Sequence, residues 1–444
     1  MSNLYSSFLE KCILPLGESI FGITYTKHLK KLRKVVEFSE GEIMKYQNSK
    51  LEEVLSNALK YSQYYRLLTV EYNSDDILGS LKNFPVIEKT VLRGQIDSIL
   101  TIRKESLIKN STSGSTGMQT NVFVTKDEQS QYRAAQTIWW EWAGFKMGKP
   151  ILQTGLATNR SIDKRLKDLF FKTYYLFAFG LTKDNTLKAF KWSRKHKPFL
   201  GGYASSLYVL SQLAEENSEK VKFKSAISWG DKLFEHYKKN IEKVFDCKIY
   251  ETYGAGEGLM IASQKDLDFM YIMSPCVYVE ILDDHGNQVA DGEMGHVVVT
   301  SLIHKAMPLI RYKLGDLAIK LPKSEYPKDR ALQLPILKKV VGRETDIVRT
   351  PSGKRLIVHS FTGVLEYYPS IKQFCVIQLE LIGITIEFIR GTDFEISVLD
   401  KIQNELMKFI AEDFKIDFKE VSNIPPTKSG KPQIIISKLN PNLK

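Results

Sequence analysis

The sequence predicts an α/β fold. A large N-terminal domain would hold mostly parallel sheets, helices and a β subdomain, and a small mobile α+β domain would follow at the C-terminus. Three observations support this prediction. Short apolar strands alternate with helices between residues 150 and 300, the pattern changes to strands and turns from residue 271, and a compact α+β module begins after residue 341. A chain of 444 residues exceeds what one hydrophobic core usually carries, so several structural units are expected.

The composition is that of an ordinary globular protein, with 43% hydrophobic and 26% charged residues. No apolar run approaches the roughly 20 residues of a membrane span. The mildly apolar N-terminus lacks the basic region and the cleavage site of a signal peptide. Four widely spaced cysteines without a CxxC pair favour a reduced, cytoplasmic protein without structural zinc.

Basic residues cluster in the stretches 27–34 and 191–197, and the chain has a net charge of +12. Nucleic-acid binding would explain this charge, but acidic residues are interspersed and no recognition helix or zinc finger appears, so no nucleic-acid partner is expected. A solvated helix face explains the first cluster better. Attraction to anionic substrates or to an inner-membrane surface would explain the second cluster as well as nucleic-acid binding does. Peripheral membrane contact therefore stays open, and the sequence does not reveal the oligomeric state.

Residues 1–75 are predicted to be helical, because apolar residues recur at three- and four-residue spacing, with Leu51, Val54 and Leu55 on one face. A segment of mixed character, residues 85–102, leads to a Ser/Gly-rich loop and a short strand. The next predicted helix, residues 129–142, carries three tryptophans, which favours a role in core packing over a ligand site.

The region between residues 150 and 300 alternates between strands and helices. Strands are predicted over residues 150–156, 199–203, 226–230 and 248–253, and helices over residues 161–171, 184–196, 205–216 and 232–245. This alternation predicts βαβ units and a parallel sheet. Ligands of such sheets bind beyond the carboxyl ends of the strands, so three glycine-bearing strand ends are candidate site positions. These are Gly202-Tyr203, Gly230-Asp231 and Gly254–Gly258.

The rest of the chain is predicted to hold strands over residues 277–282, 296–301 and 317–321, and a surface loop over residues 322–335. A hairpin (residues 347–358), helices (residues 360–367 and 400–412) and strands (residues 374–381, 384–390 and 415–421) complete the final module. The predicted boundaries are an N-terminal domain of residues 1–341, a hinge of residues 342–346 and a C-terminal lid domain of residues 347–444.

The Ser/Gly-rich loop, Thr112–Gly117, holds two glycines and four hydroxyl residues in six positions. Glycine permits close backbone approach, so such a loop can turn its amides and hydroxyls toward a polyphosphate. It differs from the usual P-loop because no lysine follows Gly117, and a compensating cation must come from elsewhere. Taken alone, the loop could equally be a solvated surface turn.

Four further motifs follow the loop, namely Glu251–Gly258, Tyr312–Asp316, Gly342–Asp346 and a tail, residues 427–431, that ends in a lysine. Tyr253 at a strand end offers a flat face to a base, and Glu257 offers the carboxylate oxygen that Mg²⁺ prefers. Asp316 can accept hydrogen bonds from ribose hydroxyls. Each residue also has a plain alternative: the two acids could be strand-end caps, and Lys431 could be a solvated tail lysine.

In this order and spacing the five motifs resemble the adenylate-forming superfamily, from about residue 80 to the C-terminus. The stretch Gly292–Asp316, GEMGHVVVTSLIHKAMPLIRYKLGD, is most similar to the phenylacetate–CoA ligase branch, which includes the CapK-like proteins of polysaccharide loci. The hinge departs from the family pattern: Thr345 replaces the first aspartate, whereas Asp346 is kept.

The resemblance implies an enzyme that uses ATP and Mg²⁺ to convert a carboxylic acid into an acyl-adenylate, with release of pyrophosphate. Transfer of the acyl group to CoA would follow. The residues that it assigns to ATP or AMP binding are Ser113, Gly114, Ser115, Thr116, Gly117, Gly230, Asp231, Tyr253, Gly254, Asp316 and Arg343. The catalytic residues would be Lys431, Glu257 and Thr116, with Glu257 also binding Mg²⁺. The acyl pocket is assigned to Gly202, Tyr203 and Ala204.

Two alternatives stay open. The activated acyl or aminoacyl group could be transferred to an amine or hydroxyl of a polysaccharide precursor, or to a protein. The chain could also be a non-catalytic nucleotide-binding relative, although retention of Glu257, Asp316 and Lys431 together argues against this. The acid is not identified, because the acyl pocket has no clear aryl signature.

Overall fold

The computed structural model describes residues 2–111, 120–155, 157, 161–178, 181–343, 347–365, 367–368, 370–425 and 433–439. The N-terminal part is helical, as the apolar spacing predicts. Its elements are α1 (Ser2–Phe8), a π-helical turn (Leu9–Ile13), α2 (Leu14–Phe21), α3 (Tyr25–Val35), α4 (Glu40–Tyr61), α5 (Gln63–Leu67), α6 (Ile77–Lys82), α7 (Lys89–Gly94) and α8 (Ile96–Ile99). The long helix α4 begins at a capping box, in which Ser39 and Glu42 satisfy each other's main-chain amides.

A two-stranded hairpin flanks the Ser/Gly-rich loop. Strands β1 (Ile108–Ser111) and β2 (Asn121–Val124) pair antiparallel, so that Ser111 lies opposite Asn121. Helix α9 (Lys126–Trp142) starts immediately afterwards, and Thr125 with Glu128 forms its capping box. The hairpin therefore brings Ser111 and Asn121, the strand residues on either side of the loop, together a few residues before the start of α9.

The next region holds the predicted βαβ units. Its elements are β3 (Ile151–Gly155), α10 (Ile162–Phe170), β4 (Thr173–Phe177), α11 (Lys183–His196), β5 (Phe199–Tyr203), α12 (Ala204–Glu216), β6 (Ala226–Trp229), α13 (Glu235–Phe245) and β7 (Ile249–Ala255). The strands pair in parallel in the order β4-β3-β5-β6-β7. The sequence did not predict β4, because this edge strand is only half-buried and its apolar pattern is weak.

Six antiparallel strands extend the same sheet. They are β8 (Leu259–Ser263), β9 (Met270–Ile272), β10 (Val277–Leu282), β11 (Met294–Ser301), β12 (Tyr312–Lys320) and β13 (Ile336–Arg343). The complete order is β10-β11-β12-β13-β9-β8-β7-β6-β5-β3-β4, an 11-stranded sheet. Strand β7 is the junction, because it pairs parallel with β6 and antiparallel with β8. The parallel and β regions predicted from the sequence therefore share one mixed sheet.

The C-terminal residues form a separate domain with a sheet of their own. Its elements are β14 (Ile347–Arg349), β15 (Arg355–Ile357), α14 (Val358–Leu365), β16 (Ile371–Glu380), β17 (Gly383–Arg390), α15 (Ser397–Ile410), β18 (Lys415–Glu420) and β19 (Ile435–Ser437). The strand order is β18-β17-β16-β19, and Phe361, Val376 and Ile402 lie in a core of this domain. Phe234, just before α13, packs into this core. The predicted α/β fold with a separate C-terminal domain is confirmed.

The predicted hinge, residues 342–346, begins within strand β13. Gly342 and Arg343 are the last residues of β13, and residues 344–346 lie outside the described part of the chain. The Nζ atom of Lys232 donates a 2.8 Å hydrogen bond to the carbonyl oxygen of Val341, directly before this point. Among the described helices, none combines the length and the apolar character needed to cross a membrane.

Candidate active site

Two predicted nucleotide-binding residues are in direct contact. The phenol oxygen of Tyr253 donates a 2.8 Å hydrogen bond to Oδ2 of Asp316. Tyr253 lies at a β-bulge of β7, and Asp316 follows Gly315, whose φ of +81° suits a residue without a side chain. The contact fixes the orientation of the Asp316 carboxylate beside an aromatic ring, which is the arrangement that an adenosine group needs.

The main chain of Arg343 lies next to this pair. Asp316 and Arg343 are register partners in the antiparallel pairing of β12 with β13. The side chain of Arg343 is outside the described atoms, so its predicted contact with ribose stays a prediction. The backbone nevertheless brings Tyr253, Asp316 and Arg343 to one place, from three stretches that are distant in the sequence.

Gly254 follows the bulge and allows a close backbone approach. A Cβ atom at this position would lie 2.8 Å from the carbonyl oxygen of Leu259 and 3.6 Å from the Trp139 ring. The first distance is shorter than real Cβ contacts, whereas the second is an ordinary van der Waals contact. The glycine is therefore required by the β7–β8 pairing, and its predicted place beside adenine remains a prediction.

The predicted magnesium ligand is buried and held by a tyrosine. Glu257 is 3% exposed, and its Oε1 atom accepts a 2.7 Å hydrogen bond from the phenol of Tyr312, which is fully buried. Burial and the charge of Glu257 raise the pKa of Tyr312 well above its ordinary value, so the phenol stays protonated and remains a donor. Tyr312 is thus a positioning residue for Glu257, a role that the motif Tyr312–Asp316 did not indicate.

A buried histidine lies close to the same carboxylate. His304 is 2% exposed, and its Nδ1 atom lies 2.6 Å from Oγ of Ser301. A Cβ atom at Gly258 would lie 3.2 Å from Nε2 of His304, so the ring packs directly on the backbone next to Glu257. Burial lowers the pKa of His304, although the charges of Glu128 and Glu257 oppose this effect. The imidazole is therefore kept neutral near neutral pH.

An arginine lies at the end of the Ser/Gly-rich loop. The Nε atom of Arg93, in α7, donates a 2.9 Å hydrogen bond to Oγ1 of Thr120, the first described residue after the loop. The charge of Arg93 also acts on the phenol of Tyr312, which links it to the Glu257 side of the site. A compensating cation was expected near this loop, and the family resemblance assigned that role to Lys431. Arg93 was missed because α7 lies before the first recognised motif.

The side chain of Asp231 binds the start of a helix. Its carboxylate accepts hydrogen bonds from the main-chain nitrogens of Ala204 (2.6 Å) and Ser205 (3.1 Å), the first residues of α12. It also accepts a hydrogen bond from the Ser205 hydroxyl. A carboxylate here caps the helix and interacts favourably with its positive end. In this structure the described contacts of Asp231 are structural, and its assignment to ATP binding stays a prediction.

The ring of Tyr203 covers Gly230. A Cβ atom at Gly230, whose φ is +82°, would lie 2.3 Å from Cε1 of that ring. Burial, followed by the charge of Asp231, raises the pKa of Tyr203 to about 12. The structure thus brings together residues that the sequence assigned to the acyl pocket and to the nucleotide.

The other two predicted acyl-pocket residues lie deeper. A Cβ atom at Gly202 would lie 1.9 Å from Oγ1 of Thr154, so the glycine is needed for the packing of β5 against β3. The side chain of Ala204 is fully buried. Of the three predicted residues, Tyr203 alone is partly exposed.

Several predicted residues lie outside the described part of the chain. These are the phosphate-binding loop residues Ser113, Gly114, Ser115, Thr116 and Gly117, and the catalytic Lys431. Their roles remain predictions.

The described residues contain no cluster of three or more histidine, cysteine, aspartate or glutamate side chains that could bind a metal. In nucleotide sites Mg²⁺ commonly takes one or two carboxylates and completes its shell with phosphate oxygens and water. Glu257 would supply such a carboxylate. Its buried position and single fixed orientation suit that role.

Comparisons with known proteins agree with the resemblance. A model of the CapK C-terminal domain matches residues 348–438. Protein CapK of Staphylococcus aureus is 23% identical over 436 residues, which cover 94% of this chain and 93% of that protein. The phenylacetate-coenzyme A ligase of Thermus thermophilus is 22% identical over 285 residues, 61% of this chain and 64% of the ligase.

A solved structure extends the comparison to the fold. 2-Hydroxyisobutyryl-CoA ligase in its postadenylation state, in complex with R3-HIB-AMP, superposes with a TM-score of 0.70 at 16% identity, covering 88% of each chain. At this identity the likeness establishes the fold. Together the relatives and the fold support an enzyme of the acid–AMP-forming ligase class. The chain is thus a relative of CapK and of the phenylacetate-coenzyme A ligases, with the fold of the adenylate-forming ligases.

Proposed function

We propose that the protein activates a carboxylic acid with ATP, forming an acyl-adenylate and pyrophosphate, and then transfers the acyl group to CoA. The observation that carries this proposal is the contact between Tyr253 and Asp316 beside the main chain of Arg343. This contact joins an aromatic face and an oriented carboxylate, which are the groups that adenine and ribose require. Tyr253 and Gly254 would lie beside the base, Asp316 would accept hydrogen bonds from the ribose hydroxyls, and Arg343 would approach from the hinge.

The phosphates would occupy the space beyond this pair. Ser113 to Gly117 would donate amide and hydroxyl hydrogens to the β- and γ-phosphates, and Thr116 is the proposed catalytic residue among them. Mg²⁺ would bind Glu257, and its charge would offset the negative charge that develops on the phosphates. The Tyr312 hydrogen bond keeps the Glu257 carboxylate in one orientation, so less ordering is needed when the metal–nucleotide complex binds.

The first step joins the acid to AMP. A carboxylate oxygen attacks the α-phosphorus, and the bond to the bridging oxygen of pyrophosphate breaks. Lys431, carried by the C-terminal domain, would neutralise the charge on the α-phosphate and the acid. Gly202, Tyr203 and Ala204 would border the acid, and Gly230 with Asp231 would support the adenine side.

The second step needs a different arrangement. The CoA thiolate attacks the acyl carbon, and AMP leaves with the oxygen that came from the acid. We propose that the C-terminal domain rotates about the hinge, residues 342–346, and withdraws Lys431 before this step. The hydrogen bond from Lys232 to Val341 lies at the base of that hinge. ATP and CoA as substrates are consistent with a cytoplasmic enzyme.

One specific observation supports an acyl acceptor other than CoA. The similarity to CapK spans nearly the whole chain, whereas the similarity to the ligase of Pseudomonas putida covers 27% of it. Transfer of the acyl or aminoacyl group to an amine or hydroxyl of a polysaccharide precursor, or to a protein, is therefore the alternative second step. It shares the first step with the CoA reaction.

The experiment that tests the proposal measures pyrophosphate release from MgATP across a panel of aryl, fatty, hydroxy and amino acids, each with and without CoA. Release that depends on one acid, with a thioester formed only when CoA is present, is the expected result. Release with an enzyme-bound acyl-adenylate but no thioester would replace CoA by another acceptor. Nucleotide binding without release for any acid would reject the enzymatic proposal.

A further inference from the structure

The N-terminal helix carries an exposed apolar stripe. One side of the continuous helix formed by α1, the π-helical turn and α2 packs on the domain, where Leu9 is fully buried. The opposite side is also apolar and faces solvent. The exposed fractions of its large side chains are Leu4 75%, Phe8 53%, Leu16 65% and Ile20 68%. A helix that is apolar on both sides is normally covered on both sides.

The local geometry keeps these side chains in line. Residues four apart on an α-helix drift by about 40° per step around the axis. The π-helical turn, Leu9–Ile13, accommodates one additional residue in the turn and offsets this drift. Leu4 and Phe8 therefore stay on the same side as Leu16 and Ile20. The stripe is a continuous feature of the surface and not a set of scattered exposed residues.

A second apolar surface adjoins the first. In α10, Leu166 and Leu169 are 55% and 73% exposed, and Phe170 is 40% exposed. Their spacing is that of a helix face that is usually buried. The phenol of Tyr5, in α1, donates a 2.8 Å hydrogen bond to the carbonyl oxygen of Phe170. This contact places α10 against the first half of the stripe.

Lysines and an arginine border these apolar side chains. The exposed basic residues of α10, of the neighbouring loop and of the N-terminal helix are Lys11, Lys146, Lys164, Arg165, Lys167 and Lys172. The ammonium of Lys172 lies 3.9 Å from the centre of the Tyr5 ring. The loop that carries Lys146 also touches the helix, because a Cβ atom at Gly148 would lie 3.2 Å from the same ring. Burial and repulsion from Lys224, Lys146 and Lys172 lower the pKa of Lys149, which indicates a concentrated positive field.

We infer that this surface, the apolar stripe with the exposed face of α10 and its basic border, docks on an anionic lipid bilayer. Exposed Leu and Phe side chains at the edge of a basic surface are the composition of helices that lie in the membrane interface. The apolar side chains enter the boundary between headgroups and acyl chains, and the lysines bind anionic headgroups. A net charge of +12 for the whole chain attracts the protein to such a surface.

The basic border argues against a second copy of the chain as the occupant. A symmetric dimer through this surface would bring the same lysine-rich borders together, and like charges across an interface oppose association. An anionic bilayer offers apolar and negatively charged groups over the same area. The inference concerns where the protein resides and does not depend on the proposed reaction.

The test is co-sedimentation of the full chain with vesicles of phosphatidylglycerol and phosphatidylcholine in equal parts, compared with vesicles of phosphatidylcholine alone. We expect binding to the anionic vesicles and at least about tenfold weaker binding to the neutral ones. Raising sodium chloride to about 0.5 M should weaken the anionic binding, because the lysine contribution is screened.

Two double variants separate the apolar and the ionic contributions. Phe8→Ser with Leu16→Ser, and Lys146→Glu with Lys164→Glu, should each lower binding to anionic vesicles by about tenfold or more. The matched controls alter equally exposed residues of the C-terminal domain, Leu379→Ser with Ile396→Ser and Lys372→Glu with Lys401→Glu, and should bind like the wild type. All four variants change exposed side chains, so their thermal unfolding should match that of the wild type.

Three results would overturn the inference. The first is no sedimentation with anionic vesicles at low salt. The second is binding that the variants of the docking surface leave unchanged. The third is a concentration-dependent dimer, measured by light scattering, that Phe8→Ser with Leu16→Ser abolishes while vesicles are not bound.

Discussion

The phenol of Tyr253 donates a 2.8 Å hydrogen bond to the carboxylate of Asp316, although 63 residues separate them. The bond orients the Asp316 carboxylate. We predict that Tyr253→Phe raises the Kd for ATP by about tenfold, because a hydrogen bond to a charged group contributes roughly 1.5–3 kcal/mol. Calorimetric titration with ATP checks this.

Tyr65→Phe is the matched control for that variant. The Tyr65 phenol is buried and donates a 3.0 Å hydrogen bond to the carbonyl oxygen of Pro308. Its loss should lower the free energy of unfolding by about 1 kcal/mol and leave ATP affinity unchanged. Equal effects of the two variants on ATP affinity would mean that the Tyr253 contact only stabilises the fold.

Tyr312→Phe tests whether the buried carboxylate of Glu257 must be held in place. We expect a loss of about 1–3 kcal/mol in the free energy of unfolding, because a buried acceptor loses its donor. Turnover at low Mg²⁺ should fall further than turnover at saturating Mg²⁺. A double-mutant cycle with Glu257→Gln, measured by urea unfolding and by turnover, should be strongly non-additive. Additive effects would show that the two residues act independently.

Asp231 should be more important for stability than for ATP affinity. Asp231→Ala removes the acceptor for two main-chain amides at the start of α12, so we predict a loss of about 1–2 kcal/mol in unfolding free energy. Asp231→Asn retains an oxygen acceptor and should lose less. Thermal unfolding and ATP titration of both variants check this. A large loss of ATP affinity in a stably folded Asp231→Asn variant would instead support the nucleotide-binding role.

Arg93→Gln should weaken binding of ATP more than binding of AMP. Arg93 lies beside Thr120 at the end of the Ser/Gly-rich loop, where the β- and γ-phosphates are proposed to bind. We expect an increase of about tenfold in the Kd for ATP and little change for AMP, since AMP lacks these phosphates. Equal weakening for both nucleotides would exclude a contribution of Arg93 to the outer phosphates.

Burial of neutral His304 should make stability depend on pH. Its pKa is lowered from the ordinary 6.5, so below about that pH the unfolded chain binds a proton that the folded chain binds poorly. The contribution of neutral His304 to the free energy of unfolding is present above pH 6.5 and is lost as the pH falls below that value. We predict that the free energy of unfolding of the nucleotide-free protein falls between pH 7 and pH 5, and that His304→Gln reduces this slope. An unchanged slope in the variant would refute the assignment.

The sequence predicted the elements well where the pattern is local. The alternation of strands and helices predicted from residue 150 onward appears as β3 to β7. The sequence did not predict strands β4, β8, β9 and β13, or the union of both regions into one sheet. The union depends on pairing between distant segments. Local apolar periodicity contains little information on such pairing.

The candidate site shows the same difference between residues that a local sequence pattern indicates and residues that only the fold brings together. Tyr253, Asp316 and Glu257 could be recognised because glycines and a fixed order accompany them. Tyr312, which orients Glu257, and the buried His304 nearby could not be recognised in the same way. Tyr312 is 55 residues away from Glu257, and the burial of His304 results from the packing of several segments. Asp231 caps a helix that begins 27 residues earlier, a contact that no local pattern indicates.

The proposed first step joins the acid to the α-phosphorus of ATP. The direct measurement uses the acid that the panel identifies, labelled with heavy oxygen in its carboxylate, and mass spectrometry of the nucleotide after acyl transfer. We predict AMP that carries one labelled oxygen, together with unlabelled pyrophosphate. Unlabelled nucleotide with the heavy oxygen in inorganic phosphate would show that an acyl-phosphate formed instead, and would exclude the proposed acyl-adenylate.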